Sequence, residues 1–297
     1  MKSNRCTVQN YAAIVALAVS AVMFLPTACT KDQTEEPEDS IITMTTQAPG
    51  VGFYMQKLEA GGITIDWGDG EGSIAIDFEE ASDFYYSSIS HSYSGASPHN
   101  ITITGNISYL DCRSNELTKL DVSRNTKLST LWCGDNQLTE LDVSGVTALK
   151  VLNCCSNSLT QLDVSRNMAL AGLDCYYNQL TSLDVSRNTA LFWLDCNNNQ
   201  LTTLDVSRNT ELTDLRCYDN QLTKLDVRNT ALTRLYCQYN QLTTSALNNL
   251  FRALPENLPL TKKSPDPWYH IYIYGNPGSS DCNVSIAEEK WWKVVTE

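Results

Sequence analysis

Residues 117–137 read LTKLDVSRNTKLSTLWCGDNQ, and five further segments restate them: LTELDVSGVTALKVLNCCSNS (138–158), LTQLDVSRNMALAGLDCYYNQ (159–179), LTSLDVSRNTALFWLDCNNNQ (180–200), LTTLDVSRNTELTDLRCYDNQ (201–221) and LTKLDVRNTALTRLYCQYNQ (222–241). Five units are 21 residues long and the sixth is 20, a period too short for a domain and right for one coil of a solenoid. No single coil can bury its own apolar residues, so stability has to come from stacked neighbours.

Within a unit, Leu128, Leu131, Cys133, Asn136 and Leu138 fit L-x-x-L-x-L-x-x-N-x-L, the leucine-rich repeat pattern, with cysteine in the third apolar slot. Leu131 and Cys133 are two apart and so point inward from a short strand, while Trp132 points out. Leu141 and Val143 mark the return side of the coil. Asn136, Asn157, Asn178, Asn199, Asn220 and Asn240 recur where the strand must turn, and an amide there can satisfy backbone groups inside the bend. Asp121, Asp142, Asp163, Asp184, Asp205 and Asp226 form another file. Carboxylates stacked at about 4.8 Å would repel, and Arg124, Arg166, Arg187 and Arg208, three residues further on, are placed to screen them. Each step lacks additional ligands, so the file is not expected to hold a metal.

Cys112, Cys133, Cys154, Cys175, Cys196, Cys217 and Cys237 put one thiol on every rung in the same inward orientation. Neighbouring rungs separate side chains by about 4.8 Å, whereas a disulfide needs Cβ atoms near about 3.8 Å and converging. The spacing therefore predicts a reduced, buried file of small hydrophobes. No CxxC or histidine partner accompanies it, so zinc is not expected.

The unit LTxLDVSxNTxLxxLxCxxNQ, carried over residues 107–241, resembles the leucine-rich repeats of bacterial surface proteins, above all the cysteine-ladder internalins of the internalin J type and related Bacteroidetes lipoproteins. The resemblance implies a mainly β solenoid, a right-handed coil with a parallel sheet on its concave side. It implies a binding scaffold without naming a ligand.

Residues 1–28 hold Lys2 and Arg5, then an apolar run over 11–25, and no acidic residue. That pattern predicts a secretory signal peptide, too short and too early to span a membrane in the mature protein. Leu25-Pro26-Thr27-Ala28-Cys29 resembles a bacterial lipoprotein cleavage site, with Pro26 where leucine is usual, and implies a lipid anchor on Cys29. Residues 29–40 then read as an acidic tether. Acidic residues after such a cysteine resemble a surface-export signal, which implies an outer-membrane lipoprotein facing outward.

Over 41–106 the pattern alternates as in strands. Asp66-Trp67-Gly68-Asp69-Gly70, His91-Ser92-Tyr93 and ITIT together resemble a PKD-like β-sandwich, expected to cover the first coil, because end repeats need a cap. Asp66 and Asp69 read as turn-forming residues rather than calcium ligands. Over 242–297, Leu247, Leu250, Phe251 and Leu254 are at helical spacing, and Ile271, Ile273 and Asn276 restate the repeat, so a C-terminal α/β cap with one more repeat-like strand is expected.

The chain carries 21 basic and 34 acidic residues, and loss of Lys2 and Arg5 with the signal moves its net charge from −13 to −15. Such a chain repels phosphate backbones, which argues against nucleic acid as a partner. Cys155 and Cys282 fall outside the file, and Cys155 is expected to point outward beside Cys154.

The outward strand positions can be written in three files. The first runs Tyr109, Thr130, Val151, Gly172, Trp193, Asp214, Arg234; the second Asp111, Trp132, Asn153, Asp174, Asp195, Arg216, Tyr236; the third Arg113, Gly134, Cys155, Tyr176, Asn197, Tyr218, Gln238. His270, Tyr272 and Tyr274 extend them into the cap. Here every coil carries different residues, whereas the rest of the repeat is nearly invariant, and many of them are aromatics and arginines, as protein-binding surfaces have. Trp132, Tyr176, Trp193, Tyr218 and Tyr236 are expected to form the binding strip. A glycan is the second reading, since aromatic planes beside Asp and Asn suit sugar rings; a ligand-free spacer is the third. The expected protein is a monomer without a cofactor. Catalysis is not expected: His91, His99 and His270 sit in no catalytic motif. Asp174 and Asp195, on adjacent rungs, approach the carboxyl spacing of a retaining glycosidase, about 5 Å, yet an open face neither excludes water nor raises a carboxylate's pKa.

Overall fold

The computed structural model describes residues 40–57, 62–76, 87–95, 98–256 and 269–297. The expected signal peptide, Cys29 and the tether up to residue 39 lie outside the described residues.

The N-terminal strands are β1 (Ile41–Thr46), β2 (Gly50–Lys57), β3 (Ile63–Asp66), β4 (Ser73–Ile76), β5 (Ser87–Ser92) and β6 (His99–Thr104). Alternation buries one side of β1, β2, β3 and β6: Ile42 and Met44 from β1, Val51, Phe53 and Met55 from β2, Ile63 and Ile65 from β3, Ile101 and Ile103 from β6. The solenoid follows with β7 (Ile107–Asp111), β8 (Leu117–Asp121), β9 (Thr130–Trp132), β10 (Val151–Asn153), β11 (Gly172–Asp174), β12 (Trp193–Asp195), β13 (Thr203–Asp205), β14 (Asp214–Arg216), β15 (Lys224–Asp226) and β16 (Arg234–Tyr236). The cap holds α1 (Thr244–Ala253), β17 (Tyr269–Tyr272), α2 (Ser285–Glu288) and β18 (Trp292–Val295).

One 11-stranded sheet runs β18-β17-β16-β14-β12-β11-β10-β9-β7-β2-β5. From β7 to β18 it is parallel, and the 21-residue period sets its register: Leu131, Leu152, Leu173, Leu194 and Leu215 stand on successive rungs. The fold is a leucine-rich repeat solenoid. On the return side, β13 pairs with β15, and paired i to i+3 turns such as Asn125 N–H to Val122 O and Leu128 N–H to Asn125 O bend the chain back.

The N-terminal strands are joined to the first coil along both faces. β2 pairs antiparallel with β7, extending the long sheet, while β1 pairs antiparallel with β8 and heads a second sheet, β4-β3-β6-β1-β8. Two sheets enclosing one core agree with a sandwich-like cap. The expected boundary between residues 106 and 107 is no break in the core, which runs continuously from Ile42 to Trp292. At Asp66 and Asp69 the turn reading holds: their Oδ1 atoms accept from Gly68 and Glu71 N–H at 2.9 Å each. Asp69 Oδ2 also meets His91 Nε2 at 2.8 Å.

Asparagine joins the coils. Asn199 Nδ2 donates to Cys175 O on the preceding coil and to Cys196 O and Asn197 O on its own, while its Oδ1 accepts from Leu180 N–H. Asn136, Asn157, Asn178, Asn220, Asn240 and Asn276 repeat the arrangement. The residue before each asparagine is left-handed: Asp135, Ser156, Tyr177, Asn198, Asp219 and Tyr239 have φ of 51 to 54°. A second file, on the return side, was not anticipated. Asn167, Asn188 and Asn209 are buried and donate to Val143, Val164 and Val185 O one coil back. Its signal is the asparagine of VSRN, which four of the six units carry. Unit 138–158 has Gly145-Val146 there, and at Gly145 any side chain would collide with Ser123 O.

The aspartate file is held differently from expectation. Asp121, Asp142, Asp163, Asp184 and Asp205 each accept the N–H two residues on at 2.8 to 2.9 Å, an Asx turn at the return bend. That bond to Ser144 is the main reason Asp142 is held below the ordinary carboxylate range, with Arg166 a lesser contribution. Only Asp226 is clasped by an arginine, Arg228 at 2.6 Å, in the unit one residue shorter.

All seven file cysteines are fully buried and unbonded to one another, as the spacing predicted. Burial raises every one of their thiol pKa values. At the C-terminus, Leu247, Leu250 and Phe251 of α1 close the core and Trp292 plugs the end, its Nε1 donating to Pro255 O at 3.2 Å. The last segment supplies both a helix and a strand, so the cap adds two rungs, β17 and β18.

Candidate functional site

The outward face of the long sheet brings the three files together in the expected order. Much of it is packed rather than open. Tyr109, Asp111, Asp174, Trp193 and Asp195 are buried, as are Val151, Asn153, Cys155, Asn197 and Gln238. Rungs lie about 4.8 Å apart, so large side chains on one coil roof over small ones on the next. Trp193 therefore belongs beneath the surface instead of in an exposed strip. Cys155 stands on the outward file, as expected, and is buried there, its Sγ donating to Asn153 Oδ1 at 3.1 Å.

At the N-terminal end Arg113 clasps Asp111 through two bonds of 2.9 and 2.7 Å, and its guanidinium lies 4.4 Å over the Trp132 ring. Tyr109 packs edge-on against Trp132 at 5.6 Å. In the middle, Asp174 accepts from Trp193 Nε1 at 3.1 Å and from Asn153 Nδ2 at 3.2 Å. Asp195 accepts from Asn197 Nδ2 and lies 3.8 Å from Arg216 Nη1.

The expectation that no carboxylate here has a raised pKa is wrong. Loss of water, opposed by the Trp193 and Asn153 hydrogen bonds, pushes Asp174 up to about 6. Desolvation and then the neighbouring Asp174 charge push Asp195 up to about 8. Both oxygens of Asp174 are nonetheless taken by protein donors, so the pair is part of the packing.

Toward the C-terminal end the face opens. Asp214 bridges Arg216 and Arg234 at 3.1 Å each. Arg216 lies 5.5 Å over Tyr236, which stacks on Tyr272 at 4.6 Å and 6°. Tyr176, Tyr218, Tyr236, Tyr272 and Tyr274 are part-exposed and Arg234 is exposed. Burial and the Asp195 charge push the Tyr218 hydroxyl up to about 12.

No protein-family model matches the chain, and no curated protein matches it either. Solved structures do. The functional domain of InlJ from Listeria monocytogenes, which includes a cysteine ladder, is 33% identical over 63% of this chain and 49% of that chain, TM-score 0.45. A leucine-rich repeat protein of Leptospira interrogans is 22% identical over 59% of this chain and 44% of that one, TM-score 0.46. A Shigella effector leucine-rich repeat domain is 23% identical over 64% and 81%, TM-score 0.46. The chain thus spans about half the length of the first two.

Two exposed aromatics escaped the sequence reading. Tyr177 and Tyr239, 44% and 52% exposed, occupy left-handed positions at the rim of the face and pack edge-on against Tyr176 and Tyr274. Their signal is their place just before the turn asparagine. Lys293 and Val295 escaped as well. They pair with His270 and Tyr272 across β17 and β18, so alternation in WWKVV would have placed them on this face. Among the described residues no His, Cys, Asp and Glu cluster could hold a metal, and no helix is long and apolar enough to cross a membrane.

Proposed function

We propose that this chain is a secreted, lipid-anchored recognition protein that binds a partner protein through the outward face of its long sheet, in adhesion or host interaction. The observation that carries this reading is the contrast between positions. Leu, Cys, Asn and Asp repeat unchanged because they build the coil. The residues that change from coil to coil converge on one continuous face whose open end is rich in tyrosine and arginine. Tyr176, Tyr218, Tyr236, Tyr272, Tyr274, Asp214, Arg216 and Arg234 form the contact surface; Tyr109, Asp111, Trp132, Asp174, Trp193 and Asp195 shape it from beneath or beside it.

The anchor is Cys29, and the location is the outer membrane with the repeats facing outward, as in the Bacteroidetes lipoproteins the sequence resembles. The PKD-like module covers the first coil. Lipidation is tested by metabolic labelling with a fatty acid, which Cys29→Ser abolishes. Recognition is tested by screening the mature chain against extracellular proteins and glycans. A protein partner lost on combining Tyr218→Ala with Tyr236→Ala supports the proposal. Binding to neutral glycans alone favours nutrient capture, and no ligand of either kind leaves a spacer.

A further inference from the structure

On the N-terminal and central rungs of the outward face the cations are paired with carboxylates, Arg113 with Asp111 and Arg216 with Asp214, and Asp174 and Asp195 lie among them, whereas Arg234, His270 and Lys293 stand in register on β16, β17 and β18. The parallel file on the same strands, Tyr236, Tyr272 and Val295, is apolar. Two cations with an imidazole between them, beside a row of two tyrosines and a valine, lie at one end of a chain whose net charge is −13.

We propose that this end of the face docks an acidic, partly apolar peptide segment of a partner protein, its carboxylates over Arg234, His270 and Lys293 and its apolar side chains over Tyr236, Tyr272 and Val295. The inference rests on the reading of the face as a protein-recognition surface and names the chemistry of what it recognises.

The Arg234 side chain is 54% exposed, and its nearest approach to Asp214 is through Nε, at 3.1 Å. A guanidinium has five N–H donors, and the terminal ones suit a carboxylate fork. Asp214 is itself shared between Arg216 and Arg234, so it does not cancel the row. Lys293 is exposed on the edge strand. Rungs about 4.8 Å apart put Arg234 and Lys293 about 10 Å from each other, close to the roughly 9 Å between residues i and i+3 of a polyproline-II segment, whose three-residue turn sets both on one face. The stacked rings of Tyr236 and Tyr272, with aliphatic Val295 after them, offer a largely apolar seat for side chains. The acidic remainder of the molecule repels polyanions in general, so a carboxylate-bearing segment is favoured at this patch and disfavoured elsewhere.

The test uses the full mature chain and fluorescence anisotropy with three labelled probes: a dodecapeptide of glutamates interrupted by leucines, its glutamine counterpart, and an oligogalacturonate of similar length. The glutamate peptide is expected to bind at least tenfold more tightly than the glutamine one and to weaken as salt rises. Lys293→Gln should weaken it several-fold and Arg234→Gln further. Because Arg234 also supports Asp214, Lys293→Gln is the decisive variant. Equal binding of both peptides, no effect of Lys293→Gln, or preference for the oligogalacturonate overturns the proposal. If these probes fail while the screen above finds a protein lost with Tyr218→Ala and Tyr236→Ala, only the acidic specificity falls. If the screen also finds none, the recognition reading falls with it.

Discussion

The indole of Trp193 lies over Gly172 on the preceding coil, occupying the space where any side chain at 172 would collide with its Cζ2 and Cη2. The same indole donates to Asp174 at 3.1 Å. Irregular positions on neighbouring rungs are thus fitted to one another, the bulky residue on one coil requiring the small one on the next.

That fit predicts coupling. Gly172→Val should destabilise the protein by about 1 to 3 kcal/mol through overpacking, seen as a lower urea midpoint. Combining it with Trp193→Ala should recover part of the loss. Additive effects of the two changes would show that the residues do not compete for one space.

The turn asparagines predict a large, local cost. Asn199→Ala orphans Leu180 N–H and takes one of two donors from each of Cys175 O, Cys196 O and Asn197 O, and should cost about 3 kcal/mol, since a buried polar group left unmade costs about 1 to 3. Gln200→Ala, at an exposed neighbour, should change stability by less than about 0.5 kcal/mol. Urea denaturation of the two variants compares them directly.

The buried carboxylates predict an unusual pH profile. Asp174 and Asp195 have folded pKa values of about 6 and about 8, above the ordinary 3.8. Between those limits the folded state holds more protons than the unfolded state. Their contribution to stability is therefore present in full below about pH 4 and is lost as pH rises through 6 to 8. Asp195→Asn should raise the thermal midpoint more at pH 8 than at pH 5. An equal shift at both would remove the case for a raised pKa.

The thiols predict selective labelling. Cys282 is part-exposed, whereas the file cysteines and Cys155 are fully buried, and thiolate formation governs reactivity. A thiol reagent at pH 8 should modify Cys282 in the native protein and reach the others only on unfolding, counted by mass spectrometry.

The coil, the inward cysteines and the turn asparagines were legible in the repeat, because a position that recurs every 21 residues meets the same neighbours on every rung. The VSRN asparagine recurs in four of the six units on the return side, where no strand has to turn, and only stacking identifies the carbonyls it reaches. Lys293 was hidden because WWKVV is no repeat unit, so its register with Arg234 and His270 depends on how the cap closes.

Sequence by itself determined the solenoid, its period, its inward and outward files and the buried state of its thiols, since each follows from strand alternation and a fixed repeat. Tertiary structure alone decided which outward residues are open. Exposure on a face with rungs about 4.8 Å apart depends on the size of the side chain next door: Trp193 sinks over Gly172 while Arg234 stands clear. The same closeness strips water from Asp174 and Asp195, and it is stacking, which no single unit contains, that sets their charge.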